Sequence, residues 1–431
     1  MILRLSNNAQ RAALVVVSFA VAIIISYFSI RNALAVHYAG LQNGISLERA
    51  ARLEPANPRN WYLLGRYRQY SLEDPDASRA IRSYLTALSL SPASSETWLD
   101  LASAYESESN PAAARDAYLH AKRNYPLSPD VSWRYGNFLL RQRELEPAFT
   151  ELRQAVEGDP KHGAEAFSRL LRVEPNIEKI LDQILPPIGD VYMDVIGDQI
   201  AEGQLDIALQ VWDRVVVFHP RVPLRGVYSL IGALRNNKRF TDARRVWDQA
   251  VVVAGLADLQ GPPGSALWDG GFESGVTGGG YSWLFPEVSR NVQIGIDAQE
   301  KHSGNHSLRL TFDGKSIVTS TEICHYVPVL PSTAYTFSAW LKTSAVTTDQ
   351  GLRFQLRSLG ILDTSVAVTP ELHGTEPWTR IEIPWSSGKD VQEMQVCLVR
   401  FLSDQLENKI KGSTWVDDVA LVPVAVEHSK P

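Results

Sequence analysis

Five side chains in the C-terminal third of the chain have types and spacing that could do chemistry. In Ala334 to Leu341, alternation with period two turns Tyr335, Phe337, Ala339 and Leu341 to one face. Thr336, Ser338, Trp340 and Lys342 are left on the other. The same alternation in Leu352 to Leu356 exposes Arg353, Gln355 and Arg357. An outward indole offers a flat apolar plate for the C–H face of a sugar ring, and nearby amides and guanidinium groups supply oriented donors for hydroxyls or carboxylates. Trp340, Lys342, Arg353, Gln355 and Arg357 are therefore expected to form one ligand-binding patch, with cations suited to an acidic polysaccharide. The bland alternative is that an outward tryptophan only covers a loop.

Other reactive residues do not assemble into a catalytic pattern. His302 and His306 are separated by Ser303-Gly304-Asn305, a turn, so they do not share a helical face as zinc ligands would. The sequence has no nucleophile elbow, phosphate-cradling glycine loop or metalloprotease helix. No catalytic residue is assigned, although paired carboxylates could meet in three dimensions on any sandwich. Two cysteines, Cys324 and Cys397, exclude a disulfide framework and a cysteine-rich zinc site. They could pair if exported and if their strands are neighbours or face each other. Two buried free thiols are the other reading.

These residues need a β-rich scaffold to hold them. After Ala254 the chain passes through LQGPPGS at 259–265, then becomes rich in glycine, threonine, valine and aromatics with short alternating runs. Eight or more strand candidates, among them HSLRLTF, AYTFSAWLKT and MQVCLVRFL, predict an antiparallel sandwich. Their order carries a resemblance. Gly271-Phe272-Glu273 followed by Trp283, the turn Ser303 to Leu308, Trp340-Leu341-Lys342, Trp378-Thr379-Arg380 and Trp415-Val416-Asp417-Asp418-Val419 together resemble the galactose-binding-like jelly rolls of carbohydrate-binding modules. That resemblance implies glycan binding. It also implies a structural calcium ion near the first and last strands, where Glu273 and Asp418 are the matching carboxylates. Adjacent Asp417 and Asp418 point to opposite faces of a strand, so at most one reaches such an ion. Otherwise these are ordinary turn and edge carboxylates, and no other cofactor is called for.

The preceding region is helical and periodic. Trp98, Leu101, Ala102 and Tyr105 stand at i, i+3, i+4 and i+7, and Ala114, Tyr118 and Ala121 follow before Pro126. Between the two runs, Asn110 can cap and Pro111 can take the first helical position. A shift of 34 residues finds Ala148, Leu152, Ala155 and Pro160; the opposite shift finds Ala80, Tyr84, Ala87 and Pro92. Ala208, Trp212 and Val215, then Ala243, Trp247 and Ala250, are looser copies, and 163–187 keeps helical periodicity without the pattern. Small residues let hairpins nest while aromatics fill the gaps. The W-x2-L-A-x2-Y and A-x3-Y-x2-A patterns with a closing proline resemble the tetratricopeptide repeat. The resemblance implies a solenoid with a protein or peptide partner on its concave side. Arg66, Arg68, Asp100, Arg134 and Arg141 are candidates on the outward residues, or simply a solvated face.

Residues 12–30 form an uncharged run, and nineteen residues at about 1.5 Å each reach roughly 28 Å, a bilayer's hydrocarbon thickness. An uncleaved anchor is expected. A cleaved signal peptide, with Ala33-Leu34-Ala35 as its site, and a buried core helix are the alternatives. Arg4 and Arg11 before the run, against Arg31 after it, favour an N-terminus in the cytoplasm. A net charge of −6 gives no basic field for nucleic acid.

The expected fold class is multidomain: an N-terminal transmembrane helix, an all-α tetratricopeptide-type solenoid and an all-β jelly-roll sandwich. The boundaries are a cytoplasmic tail at 1–11, the span at 12–30, the solenoid at 41–255, a linker at 256–265 and the sandwich at 266–425. The expected function is a non-enzymatic, outward-facing scaffold on a bacterial inner (cytoplasmic) membrane. It would be single-pass, with its bulk periplasmic or extracellular, binding protein through the repeats and glycan through the jelly roll, by analogy in exopolysaccharide assembly or export. The first alternative is a pure protein scaffold with the jelly roll as a structural cap. A polysaccharide-acting enzyme is the second.

Overall fold

The computed structural model describes residues 8–72, 75–218, 222–259, 264–275, 277–286, 292–318, 320–360, 363–405 and 408–424. Residues 1–7 of the expected tail, 260–263 of the expected linker and residue 425 lie outside the described residues. The chain divides into two compact units, Met1–Pro186 and Pro187–Pro431, so the helical stretch expected at 41–255 is shared between them.

In the first unit, α1 (Asn8–Gly40) is one unbroken helix whose apolar stretch is exposed on all sides. It is long and apolar enough to cross a bilayer. It is followed by α2 (Gly44–Leu53), α3 (Pro58–Tyr70), α4 (Ala77–Leu90), α5 (Ser95–Ser107), α6 (Pro111–Asn124), α7 (Pro129–Arg141), α8 (Leu145–Gly158), α9 (Gly163–Leu171) and α10 (Ile177–Ile184). Starts are set by capping side chains: Asn57, Asp76, Ser94, Asn110 and Ser128 each accept a hydrogen bond from a backbone N–H in the first turn. Pro111 takes the first position of α6, as expected.

Antiparallel pairs α3–α4, α5–α6 and α7–α8 are the repeat. Ala80, Ala102, Ala114, Ala121, Ala148 and Ala155 are fully buried where helices nest. The nesting is tight: a Cβ added at Gly65 would stand 2.6 Å from the Tyr84 ring, and one at Gly136 would stand 2.9 Å from Leu152. The pair α9–α10 is short, in keeping with the loss of pattern after residue 162.

The second unit begins with two further pairs, α11 (Gly189–Ala201) with α12 (Leu205–Phe218) and α13 (Tyr228–Asn236) with α14 (Phe240–Val253). Among the described residues ten strands follow: β1 (Trp283–Leu284), β2 (Val292–Asp297), β3 (Ser307–Asp313), β4 (Ser320–Pro328), β5 (Ala334–Val346), β6 (Leu352–Ser358), β7 (Val366–Val368), β8 (Gly374–Ser386), β9 (Glu393–Arg400) and β10 (Lys411–Pro423). They form two antiparallel sheets, ordered β1-β4-β9-β6-β7 and β2-β3-β10-β5-β8, the antiparallel sandwich expected from the alternating runs, with the jelly roll being what the resemblance implied. Phe337, Leu341, Phe354, Leu356, Val396 and Leu398 fill the space between them.

The sandwich packs on α13 and α14. Trp247 meets Trp268 and Tyr281 edge-on at 5.3 and 6.1 Å. The glycine run at 278–280 permits this approach, because a Cβ at Gly279 would lie 2.2 Å from Tyr228 and one at Gly280 would lie 2.5 Å from Trp247.

Candidate functional site

Two surfaces bring chemistry-bearing residues together. The first lies on the leading helices of the repeats. Asp100 of α5 and Arg134 of α7 occupy equivalent positions in successive pairs, and Arg66 of α3 approaches Asp100 from the preceding pair. Asp100 is therefore flanked on both sides, by Arg134 Nη1 at 2.9 Å and Arg66 Nε at 3.7 Å, and Tyr62 donates its hydroxyl to the same carboxylate at 3.0 Å. Asp100 is only 3% exposed, so it is a buried anchor and not the outward residue expected from sequence. Arg68 also turns away, bonding Glu48 and Ser83 at 2.9 Å each.

Next to this, Glu106 accepts from Tyr118 at 2.8 Å and from Arg141 at 2.9 and 3.0 Å. Arg169 of α9 lies over the Trp133 ring and bonds Asn137 at 2.6 Å and Glu165. These groups line a cavity of about 240 Å³. Around it the guanidinium groups of Arg134, Arg141 and Arg169 stand over the buried Asp100 and mostly buried Glu106, with the exposed carboxylates of Asp130 and Glu165 paired to Arg134 and Arg169. Burial disfavours charge on Arg134, but Asp100 outweighs it and holds the guanidinium above its ordinary pKa. Burial, then Glu96 and Asp100, push the Tyr62 phenol up, so it stays a neutral donor. The guanidinium N–H groups of Arg134 and Arg141 that Asp100 and Glu106 do not engage can meet a carboxylate of a bound segment.

The second surface is the sandwich, and here the expected patch divides. Trp340 and Lys342 stand on β5, whereas Arg353, Gln355 and Arg357 stand on β6 in the other sheet, so the two groups occupy opposite outer faces. Period-two alternation fixes which side chains point outward but not which sheet carries a strand. Trp340 is also not a free plate: the His302 ring stacks on it at 3.8 Å, with Trp378 5.8 Å from His302. Lys342 pairs with Glu300 and lies over Trp415.

On the β4-β9-β6 face, Gln355 is in register with Cys397 and Arg357 with Gln395. Cys397 is in register with Cys324, and Gln395 with Tyr326. The cysteines are bridged, with an S–S distance of 2.10 Å. Two rows therefore cross three strands, one of amide and disulfide, one of guanidinium, amide and phenol. Arg357 is exposed and donates to Gln355 at 3.2 Å; Arg353 is held by Glu371 at 2.9 Å and Gln350 at 2.6 Å. Gln395 and Tyr326 were missed from sequence, although alternation in β4 and β9 places both outward. Arg235 of α13 lies over Tyr326, and no local signal in the sequence links those two.

The carboxylates matched to calcium sit beside the turn at 302–306. Glu273 accepts from the backbone of Asn305 at 2.5 Å and His306 at 3.0 Å and from His306 Nδ1 at 3.0 Å. Burial pushes Glu273 up, and these donors more than reverse it, leaving its pKa below the ordinary value. Asp418 accepts from His302 Nδ1 at 2.6 Å and Ser303 Oγ at 2.7 Å. A bulge in β10 gives Asp418 a φ of 47° and turns Asp417 inward, fully buried, its pKa raised by that burial. Calcium takes six to eight oxygen ligands. The partners of Glu273 and Asp418 are hydrogen-bond donors, and among the described residues no group of three or more His, Cys, Asp or Glu is placed to hold a metal ion. The pair does not fit that ion.

No family model matches the chain, and no curated protein matches it. Among solved structures, the chain is similar to the CBM22-1 xylan-binding domain of Paenibacillus barcinonensis Xyn10C, at 15% identity over 33% of this chain and 86% of that one, with a TM-score of 0.25. It is similar to YrrB, described as a TPR protein with an unusual peptide-binding site, at 15% identity over 49% of this chain and 94% of that one, TM-score 0.27. It is similar also to PilF of Pseudomonas aeruginosa, at 18% identity over 46% and 77%, TM-score 0.25. The ligands those names mention belong to those proteins.

Proposed function

We propose that the chain is a membrane-tethered, non-catalytic scaffold of the bacterial envelope. In this reading it holds an acidic peptide segment of a partner on its repeats and a glycan on its sandwich, in the assembly or export of an exopolysaccharide. The observation that carries it is Asp100 buried between Arg66 and Arg134 beside the cavity rimmed by Arg141 and Arg169. A buried carboxylate orders the guanidinium groups in advance, so a ligand carboxylate meets preorganised donors. The apolar α1 supplies the tether. The Cys324–Cys397 bridge supports placing the sandwich in an oxidising compartment, hence outside the cytoplasm.

Fluorescence anisotropy with labelled hexaglutamate tests the groove. Full-length protein should bind it, and Arg134→Glu with Arg141→Glu should abolish binding; equal binding by that variant would reject the site. For the glycan, retardation in gels containing a polyuronate should slow the chain. A second reading, in which the sandwich is a structural cap, is favoured by the packing of Trp247 and Arg235 against it. Absence of retardation on acidic and neutral polymers alike would select that reading.

A further inference from the structure

We propose that the turn edge of the first repeats is itself a bilayer-contacting surface, resting on the anionic membrane that α1 enters. This rests on the reading of α1 as an anchor. Beyond the apolar span, α1 continues unbroken to Gly40, and Ala35 is fully buried in the unit. Arg31, the first residue past the span, donates Nε to the carbonyl of Leu53 at the C-terminus of α2. The end of α2, the turn at 54–57 and the start of α3 therefore stand level with the end of the span, where lipid headgroups lie.

The chemistry of that edge suits this position. Arg31, Arg52 and Arg59 stand there beside Glu54, and the Arg52 side chain is 79% exposed. In the repeats that follow, the same edge is formed by the turns at 91–94 and 125–128. There Leu90, Tyr125 and Leu127 are 41%, 49% and 81% exposed. Trp61 and Trp98 lie along the first two turns, each donating its indole N–H to a turn carbonyl, of Pro55 at 2.9 Å and Pro92 at 2.8 Å. Basic, aromatic and exposed aliphatic groups on one edge are the composition of a surface that settles into the headgroup layer. On the opposite edge, the turns at 108–110 and 142–144 carry only polar and charged residues, while the turns after α1 and α3 expose Leu41, Ile45, Tyr70 and Leu72.

The test uses full-length protein, disulfide intact, in vesicles containing phosphatidylglycerol and doxyl-labelled lipid. An environment-sensitive fluorophore is placed in turn at Phe19→Cys in the span, Leu127→Cys on the proposed edge and Gln142→Cys on the opposite edge. Phe19→Cys should be quenched by deep doxyl groups, and Leu127→Cys should be quenched by shallow ones at least roughly threefold more than Gln142→Cys. Adding Arg52→Glu and Arg59→Glu should weaken Leu127→Cys quenching. Quenching at position 19 with equal signals at 127 and 142 would overturn the edge proposal and leave the anchor standing. Absence of quenching at position 19 would remove the anchor and the proposal together.

Discussion

The guanidinium of Arg235 lies over the ring of Tyr326, its central carbon 3.7 Å from the ring centroid, and makes two bonds of 2.6 and 2.8 Å to Glu393. A helix of the repeat type and two strands of the sandwich are thereby joined through one side chain. Glu393 is nearly buried and Arg235 mostly so. Glu393→Leu should therefore lower stability by about 3–5 kcal/mol, because it strands a buried charge. Adding Arg235→Met should recover most of that loss. Urea unfolding of the single and double variants measures this, and a single variant as stable as the parent would contradict it.

Nesting of the repeats makes a second prediction. Gly136→Val should destabilise by about 1–3 kcal/mol, since its side chain would meet Leu152 inside contact distance. Gly232→Ala, where an added Cβ meets nothing within 4 Å, should be neutral or slightly stabilising. Equal melting temperatures for the two variants would refute the close-nesting account.

These two glycines show what the sequence could and could not disclose. Period 34, with Ala80, Ala114 and Ala148 in step, made the repeat legible, because nesting demands small residues at fixed places. Period two made the inward faces of β5 and β6 legible, and the outer exposure of Arg357 with them. The split of Trp340 from Gln355 was not legible, because sheet membership is decided by strand order and not by alternation. Nor was the burial of Asp100, whose partners stand 34 residues away on either side. The packing of Trp247 on Gly280 joins a helix to a loop with no local signature, so it lay beyond any reading of motifs.

Stability should depend on pH through His325. Its imidazole is fully buried, facing the carbonyls of Tyr326 and Trp268 at 2.6 and 3.1 Å. Burial outweighs the pull of these carbonyls toward protonation, and the pKa is pushed down to about 4 from 6.5. The unfolded chain takes up a proton near pH 6.5 and the folded chain does not, so stability falls as pH drops from about 6.5 toward 4. The full loss is about 3 kcal/mol. Buried Asp269 and Asp417, with raised pKa values, act in the opposite sense, so the comparison must be made against a variant. His325→Gln should flatten the difference in unfolding free energy between pH 7.5 and 5, and an unchanged difference would clear His325 of the effect.

The two faces of the sandwich make opposite predictions for glycan retention. Trp340 is stacked on His302, which in turn bonds the Asp418 carboxylate, so the indole belongs to the packing of the 302–306 turn on β10. Trp340→Ala should cost about 1–2 kcal/mol in unfolding free energy and leave retardation in a polyuronate gel unaltered. Arg357 is exposed, and its partner Gln355 neighbours the disulfide row, so Arg357→Ala should leave stability within about 0.5 kcal/mol of the parent and reduce retardation. The inverse pattern, binding lost with Trp340 and kept without Arg357, would return the ligand to the β5 face. It would also require His302 to leave the indole when the sugar arrives.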